Sequence, residues 1–309
     1  MDRPKDFLTF ADWPAGELRA LLDRARELKD LDKRGERPQT LQGRTLALYF
    51  EKPSLRTHVT FEAGMNQLGG HAILLRPEQV GIGHRETAAD VARGLSRWVD
   101  AITCRTFSHE LVEDLARNAS IPVINALTDR SHPCQIMADL QTIAEHADLD
   151  RVLVAWVGDG NNVAASLIEA VSVLGLRLRV ATPKIHRPDP ALVERARVLA
   201  AASGARIEYT EDPVAAVRGA DFVYTDTWTS MGQEAEKAER QRVFAPYQVN
   251  TRLLAHAPDA FFLHCLPAYR DLEVTSEVLD GPRSIVWDQA ENRLHSQKAI
   301  LERLILGRL

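Results

Sequence analysis

The sequence predicts an α/β protein with two doubly wound parallel-sheet domains that are joined by linking helices. Three observations support this fold class. Short apolar strands alternate with amphipathic helical stretches along the whole chain, which is typical of parallel sheets covered on both faces. The chain has 309 residues, enough for two ordinary domains. The last stretch, 292–309, has helical periodicity with no strand after it, so we expect this C-terminal helix to return to the first domain.

The individual elements follow from local patterns. A first helix is predicted after Pro14, where apolar residues recur at helical spacing at Leu18, Leu21, Leu22, Ala25 and Leu28. The first-half strands are TLALYF from Thr45, HAILL, AITCRT and PVINA. The second-half strands are RVLVAWVG, RLRVATP, RIEYT, FVYTDT and AFFLHC. A linking helix over 138–147 places the boundary near Asp148, which predicts domains at 1–147 and 148–309.

Composition narrows the class of protein. Hydrophobic residues make up 45% and charged residues 26%, which indicates a folded globular chain. The net charge of -5 argues against a general affinity for nucleic acid or anionic membrane. Three cysteines, Cys104, Cys134 and Cys265, are too sparse for a disulfide framework or a structural zinc cluster. The N-terminus lacks the apolar run of a signal peptide, so we expect a cytoplasmic protein.

A segment that follows the first strand, EKPSLRTH, has the features of an anion site. Ser54 is a good N-cap, and Arg56 and Thr57 lie in the first helical turn. Free N–H groups, a hydroxyl, a guanidinium and the helix dipole converge there, a combination suited to phosphate. A capped helix with a solvated arginine explains the segment equally well when it is taken alone.

Two further strand ends in the first half carry polar side chains. Arg105 ends the strand AITCR, and SHPCQ after PVINA supplies His132 and Gln135, with Pro133 suited to the first turn of the next helix. Because ligands bind at the carboxyl ends of strands in open α/β sheets, these side chains are candidates for the same crevice. The alternatives are a surface arginine and a structural histidine.

In the second half, GDGNN at 158–162 closes a strand. It lacks the third glycine of a dinucleotide fingerprint, so a nucleotide site is a weak interpretation. Asn161 and Asn162 instead offer amides at a helix start, which suit a carboxylate.

Two more second-half segments follow strands. TDTWTSMG contributes Asp226, Ser230 and Met231, and this carboxylate is able to hold an ammonium group unless it serves as an ordinary cap. HCLPA contributes Cys265 and a proline-fixed turn, although a buried cysteine is usually inert packing.

Taken together, these motifs match one family in order and spacing. They are SLRT, Arg105, HPCQ, GDGNN, DTWTSMG, HCLPA and a late AENR that ends at Arg293. Over almost its whole length the sequence resembles the ornithine carbamoyltransferases. The related aspartate enzymes share the phosphate motif and HPxQ, but they have HPLP where this chain has HCLP.

The resemblance implies an enzyme that transfers the carbamoyl group of carbamoyl phosphate to the side-chain amine of L-ornithine. The products would be L-citrulline and phosphate, in arginine metabolism. The family needs no metal and no cofactor. It forms homotrimers in which a glutamine of one chain, matched here by Gln79, contributes to a neighbour's site.

The resemblance also implies a role for each matching residue. Carbamoyl phosphate would be bound by Ser54, Leu55, Arg56, Thr57, Gln79, Arg105, His132 and Gln135. Ornithine would be bound by Asn162, Asp226, Ser230, Met231, Cys265, Leu266 and Arg293. The catalytic set would be Arg105, His132, Cys265 and Asp226.

Two positions depart from the family pattern: Leu55 replaces the usual threonine, and His58 replaces the arginine that usually ends the phosphate motif. Two alternatives therefore stay open. One is a carbamoyltransferase for putrescine or an acylated ornithine, although putrescine has no carboxylate for Asn162 to bind. The other is a catalytically impaired relative that serves as a binding or regulatory subunit, for which His58 is the only support.

Overall fold

The computed structural model describes residues 4–230 and 232–308, which divide into two compact units. The first unit comprises 1–141 and 291–309, and the second comprises 142–290. The elements of the first 146 residues are α1 (Ala15–Lys33), β1 (Thr45–Phe50), α2 (Leu55–Gln67), β2 (His71–Leu75), α3 (Pro77–Val80), α4 (Ala88–Leu95), β3 (Ala101–Arg105), α5 (His109–Asn118), β4 (Val123–Leu127) and α6 (Pro133–His146).

The second unit continues with elements of the same alternating kind. They are β5 (Leu153–Val157), α7 (Asn162–Leu174), β6 (Arg177–Ala181), α8 (Pro190–Ser203), β7 (Arg206–Thr210), α9 (Pro213–Val217), β8 (Phe222–Thr225), α10 (Lys237–Phe244), α11 (Thr251–Leu254), β9 (Phe261–His264), α12 (Ser276–Leu279) and α13 (Val286–Leu306). Short 3₁₀ turns lie at Lys184–His186, Glu234–Glu236 and Ala245–Tyr247. The unit boundaries fall inside α6 and α13.

Each unit contains one parallel sheet, and the strand order of each sheet fixes where a ligand is expected. The first sheet has the order β2-β1-β3-β4 and the second has the order β7-β6-β5-β8-β9. The connections therefore change direction between β1 and β3 in the first sheet, and between β5 and β8 in the second. Crevices at such switch points are the usual binding sites of open α/β sheets.

The burial of the strands follows their position in the sheet. β3 is buried throughout, as are the central residues of β1, because helices cover both faces of a central strand. β4 lies at the edge of the sheet but is also buried, and Phe7 pairs with its free edge through backbone hydrogen bonds with Val123 and Asn125. The sequence predicted sheets covered by helices on both faces, but the edge strand β2 is partly uncovered. Its residues Ile73 and Leu74 are 42% and 37% exposed. The edge strand β7 of the second sheet is likewise largely exposed.

The C-terminal helix packs against the first unit, as predicted, although it begins at Val286 rather than at residue 292. From Glu291 onward its polar side chains bond to the first unit: Glu302 pairs with Arg24, and Lys29 donates to Asn292 over 2.8 Å. The predicted fold class is therefore confirmed. Within residues 4–230 and 232–308, none of the helices combines the length and apolar composition needed to cross a membrane.

Candidate active site

In the first unit, the anion segment forms as the sequence predicts. Ser54 is the N-cap of α2, and its Oγ accepts a hydrogen bond from the Thr57 N–H over 3.3 Å. This cap fixes the start of the helix at the carboxyl end of β1, beside the switch point. Arg56 is half-buried, whereas the side chain of Leu55 is exposed. Leucine is therefore tolerated at this position, since its side chain occupies no packed space.

Arg293 connects two of the predicted phosphate-side elements. Its Nη1 donates to Gln135 Oε1 over 2.5 Å, and its Nη2 donates to Thr57 Oγ1 over 3.1 Å. Gln135 in turn donates to Asp139 Oδ1 over 2.8 Å, so this chain of hydrogen bonds fixes the orientation of the side chains in it. All of these side chains are buried. The sequence grouped Arg293 with the ornithine residues, but the structure groups it with Thr57 and Gln135 in the first unit.

His132 and Arg105 lie close to this cluster. Both are nearly buried, at 5% and 7% exposure. Burial holds the pKa of His132 well below its usual range, and the positive charges of Arg293 and then Arg105 act in the same direction. The imidazole is therefore neutral at physiological pH, and it has one N–H to offer a carbonyl oxygen.

Two first-unit residues lie apart from this cluster. Gln79 is exposed on the short helix α3, directly after the edge strand β2. His58 lies one turn into α2, where its Nε2 is 3.0 Å from Glu62 Oε2 and its ring packs against Phe50.

The second unit brings together three residues that are far apart in sequence. Asp226 follows β8, and its Oδ1 accepts a hydrogen bond from the Cys265 thiol over 3.0 Å. Its Oδ2 accepts from Asn161 Nδ2 over 2.8 Å. Asn161 is also the N-cap of α7, because its Oδ1 accepts from the N–H groups of Val163 and Ala164. Asn161 thus orientates Asp226, a role that the sequence motif did not reveal.

The loop before α7 is shaped by its glycines. A Cβ on Gly160 would lie 2.4 Å from the backbone nitrogen of Pro188, so only glycine fits there. Gly158 has a φ of 139°, in the region that favours glycine. The glycines of GDGNN therefore serve backbone packing, which agrees with the weak nucleotide interpretation.

A buried arginine ties this loop to the one after β8. Arg240 forms an ion pair with Asp159 and donates to the carbonyl of Trp228. Burial raises the pKa of Asp159 to about 7, with Arg240 opposing the rise and Asp226 adding to it. Ser230, in the same loop, donates its N–H to Gln233 Oε1 over 3.1 Å. Met231 lies outside the described residues.

The turn after β9 is held by a buried histidine. His264 Nδ1 accepts the Leu266 N–H over 2.9 Å, and its Nε2 lies 3.2 Å from Glu273 Oε1. Leu266 has a φ of 58° in the left-handed region, and this hydrogen bond supports it there. Potential ligand atoms of Asp226, His264 and Cys265 lie within 4.8 Å of one another, a grouping that the sequence did not predict. Both His264 nitrogens already have partners in this turn, so the cluster is better suited to orientating Cys265 than to holding a metal.

Two family models of known proteins together match most of the chain. The family model described as "Aspartate/ornithine carbamoyltransferase, carbamoyl-P binding domain" matches residues 5–145, and the "Asp/Orn binding domain" model matches residues 150–304. An ornithine carbamoyltransferase of Anoxybacillus flavithermus is 54% identical over 303 residues, covering 97% of this chain and 96% of the relative.

Solved structures give the same result. The ornithine carbamoyltransferase of Pyrococcus furiosus superimposes with a TM-score of 0.94 at 49% identity, covering 98% of this chain and 97% of that one. An anabolic ornithine carbamoyltransferase of Campylobacter jejuni superimposes with a TM-score of 0.92 at 36% identity, and each chain is fully covered.

Proposed function

The chain belongs to the aspartate/ornithine carbamoyltransferase family, and we propose that it transfers the carbamoyl group of carbamoyl phosphate to the side-chain amine of L-ornithine. The products are L-citrulline and phosphate. The prediction from the motifs agrees with the names of relatives at about half identity. The observation that carries the choice of an amino-acid acceptor is the Asn161–Asp226–Cys265 chain of hydrogen bonds at the switch point of the second sheet.

We assign carbamoyl phosphate to the predicted domain 1–147, together with Arg293. Ser54, Leu55 and Arg56 offer the phosphate the start of α2, where N–H groups and the helix dipole favour an anion. Thr57 and Gln135 are held in place by Arg293. Ordered contacts of this kind support binding because the side chains need no rearrangement when the ligand arrives.

The reaction joins a neutral amine to the carbamoyl carbon while phosphate leaves. Negative charge develops on the carbamoyl oxygen, and we propose Arg105, His132 and Thr57 as its donors. The neutral state of His132 suits this role, since a neutral N–H donates without adding a further cation beside Arg105. Holding both substrates in orientation contributes further through proximity.

We assign ornithine to the predicted domain 148–309. Asp226 holds an ammonium group, Asn162 and the loop with Ser230 and Met231 take the amino-acid end, and Cys265 and Leu266 lie beside the reacting amine. An alkylamine has a pKa of about 10, so offering its neutral form at pH 7 costs about 4 kcal/mol. Desolvation of that amine lowers the cost.

We further propose a homotrimer in which Gln79 completes the site of a neighbouring chain. The support is that α2 and the edge strand β2 expose large apolar side chains, namely Leu55, Val59, Ile73 and Leu74. Such surfaces mark contacts with other chains. Gln79 follows β2 directly and its side chain is exposed, as a residue shared with a neighbour must be.

A cytoplasmic location and a role in arginine biosynthesis complete the proposal. All three cysteines are free thiols, in keeping with a reducing compartment. Relatives named anabolic support the biosynthetic direction.

The test is citrulline formation by the purified protein from carbamoyl phosphate and a panel of amines. We expect kcat/KM for ornithine to exceed that for lysine, putrescine, N-acetylornithine and aspartate. Comparable activity with putrescine would show that Asn162 and the loop containing Ser230 do not recognise a carboxylate. No activity with any amine would support the impaired relative instead.

A further inference from the structure

Lys52 occupies the switch point of the first sheet. It follows β1 by two residues and precedes the Ser54 cap by two, so it lies next to the candidate anion site in the chain. Only 6% of the residue is exposed, and its Nζ lies 4.2 Å from the centre of the Phe107 ring. Phe107 follows β3, and its N–H donates to Glu51 Oε2 over 3.0 Å, so the loops after both strands are joined.

The ammonium of Lys52 lacks the partner that a buried lysine normally has. Within residues 4–230 and 232–308 its Nζ makes no hydrogen bond and no ion pair. Its ammonium instead makes a cation–π contact with the Phe107 ring. Among charged groups, Arg105 has the largest effect on Lys52 and is repulsive, while the carboxylates of Asp129 and Glu51 each act more weakly in the opposite direction. Burial, and then Arg105, lower the pKa of Lys52. Its neutral, nucleophilic form is therefore more populated than that of an exposed lysine.

We propose that Lys52 is a self-carbamoylation site, whose neutral amine takes the carbamoyl group of carbamoyl phosphate when no acceptor substrate is present. This inference rests on carbamoyl phosphate being the donor bound beside it. Lys52 lies in the loop between β1 and the α2 N-terminus, and its Nζ contacts Phe107, two residues beyond Arg105, so its amine lies beside the proposed donor site. The enzyme would thus perform on its own side chain the reaction that it performs on ornithine.

The step is chemically complete. The lone pair of Lys52 Nζ attacks the carbamoyl carbon and forms an N–C bond, and the C–O bond to phosphate breaks with its electron pair going to phosphate. One proton passes from Nζ to the leaving phosphate. The product is a urea, which carries no charge near neutral pH. Cyanate, which carbamoyl phosphate releases in water, gives the same urea by adding to the amine.

Modification removes one positive charge from a region that also contains Arg56 and Arg105. The modified enzyme should bind carbamoyl phosphate more weakly, since its electropositive edge is reduced. Ornithine competes for the carbamoyl group, so modification is fastest when ornithine is scarce. The enzyme would then slow its own consumption of carbamoyl phosphate.

The experiment incubates the purified enzyme with carbamoyl phosphate without ornithine and follows the carbamoyl mass on each lysine after digestion. Lys298 is the internal control, because burial also lowers its pKa but it donates to Gln67 at the C-terminal end of α2, away from the capped N-terminus. Exposed Lys237 is the second control. We expect Lys52 to react faster than either, because it alone combines a lowered pKa with a place beside the α2 N-terminus. Equal rates at the three lysines overturn the proposal.

Two further arms identify the source of the carbamoyl group. Cyanate alone, at the concentration that carbamoyl phosphate releases, should modify Lys52 more slowly than carbamoyl phosphate does. Inorganic phosphate should slow modification of Lys52 and leave Lys237 unaffected. If phosphate has no effect and cyanate alone accounts for the rate, the reaction does not use the bound donor and the inference is wrong.

Activity is measured on the same samples, each compared with its own value before incubation. Wild type and the control variant Lys237→Arg should lose citrulline formation in step with Lys52 modification, whereas Lys52→Arg should retain its starting activity. A wild type that makes citrulline while Lys52 stays unmodified refutes this inference alone. A wild type that makes no citrulline refutes the proposed function.

Discussion

The contact between Asn161 and Asp226 allows a near-isosteric test of the ornithine side. In Asn161→Asp the new carboxylate can still cap α7, because its oxygen accepts from Val163 and Ala164 as the amide oxygen does. The other oxygen, however, replaces an N–H donor 2.8 Å from Asp226 Oδ2. The substitution therefore keeps the helix and changes one interaction, from a hydrogen bond to a contact between two carboxylates.

The magnitude follows from the geometry. Two negative charges about 3–4 Å apart repel by about 4–6 kcal/mol at an effective dielectric constant of 20. Protonating one carboxyl group at pH 7 costs about 4 kcal/mol, since its ordinary pKa is about 3.9. Because repulsion equals or exceeds that cost, the pair takes up a proton and titrates near neutrality. When the introduced carboxyl group is protonated it again donates to Asp226, whereas the doubly ionised pair separates and displaces Asp226 from Cys265.

The assay is kcat/KM for ornithine from about pH 6 to about pH 9, with the wild type measured in parallel. The value for Asn161→Asp, relative to wild type, should fall as pH rises through the raised pKa of the pair. Stability has the same sign: a carboxyl whose folded pKa is raised stabilises the fold at low pH, and this contribution is lost as pH rises through the folded pKa. The melting temperature of the variant should therefore fall with pH relative to wild type.

Asn161→Ser is the matched control. Serine caps the helix without adding charge, so it removes only the amide-to-carboxylate hydrogen bond, worth about 1.5–3 kcal/mol. A loss of roughly 10- to 150-fold in kcat/KM for ornithine, without the pH dependence, is expected. The KM for carbamoyl phosphate should change in neither variant. Wild-type kinetics for Asn161→Asp across the pH range would refute the idea that Asn161 orientates a functional Asp226.

Three further predictions concern the first unit. Arg105→Ala should lower kcat by roughly a hundredfold or more, because one oxyanion donor contributes about 2.7–4 kcal/mol; unaltered kinetics in a folded variant would make Arg105 structural. Mixed trimers of inactive Gln79→Ala and Arg105→Ala chains should regain activity, and a fully active monomer contradicts the shared site. His58→Arg should change the carbamoyl phosphate KM by less than about tenfold, because His58 pairs with Glu62 and packs on Phe50 one turn beyond the capped N-terminus; an inactive wild type rescued by arginine would support the impaired relative.

Much of the fold was predictable because each strand is a short apolar run with a capping or turn residue beside it. Ser54 illustrates this, since one residue type at one position predicted both the start of α2 and its cap. The start of α13 was missed by six residues. Val286 and Trp287 open the helix, yet Trp287 is 67% exposed, so the first turn lacks the amphipathic periodicity that marks a helix.

The candidate site was predictable as a set of motifs but not as a network. Asn161 and Asp226 are 65 residues apart, and Thr57 and Arg293 are 236 apart. No local pattern encodes such pairs, because they arise only when the fold brings distant segments of the chain together. Arg293 illustrates this, since the resemblance grouped it with the ornithine residues, whereas α13 places it beside Thr57 and Gln135 in the first unit.

That return of α13 has a consequence for how the protein matures. A chain made from its N-terminus exposes residues 1–141 early, yet Thr57 and Gln135 receive their guanidinium partner only when the last helix has been synthesised. The first unit is therefore the first to begin folding and the last to be finished. A nascent or C-terminally truncated chain holds an incomplete anion pocket, so the capacity to gather a reactive acyl phosphate appears only with the finished polypeptide.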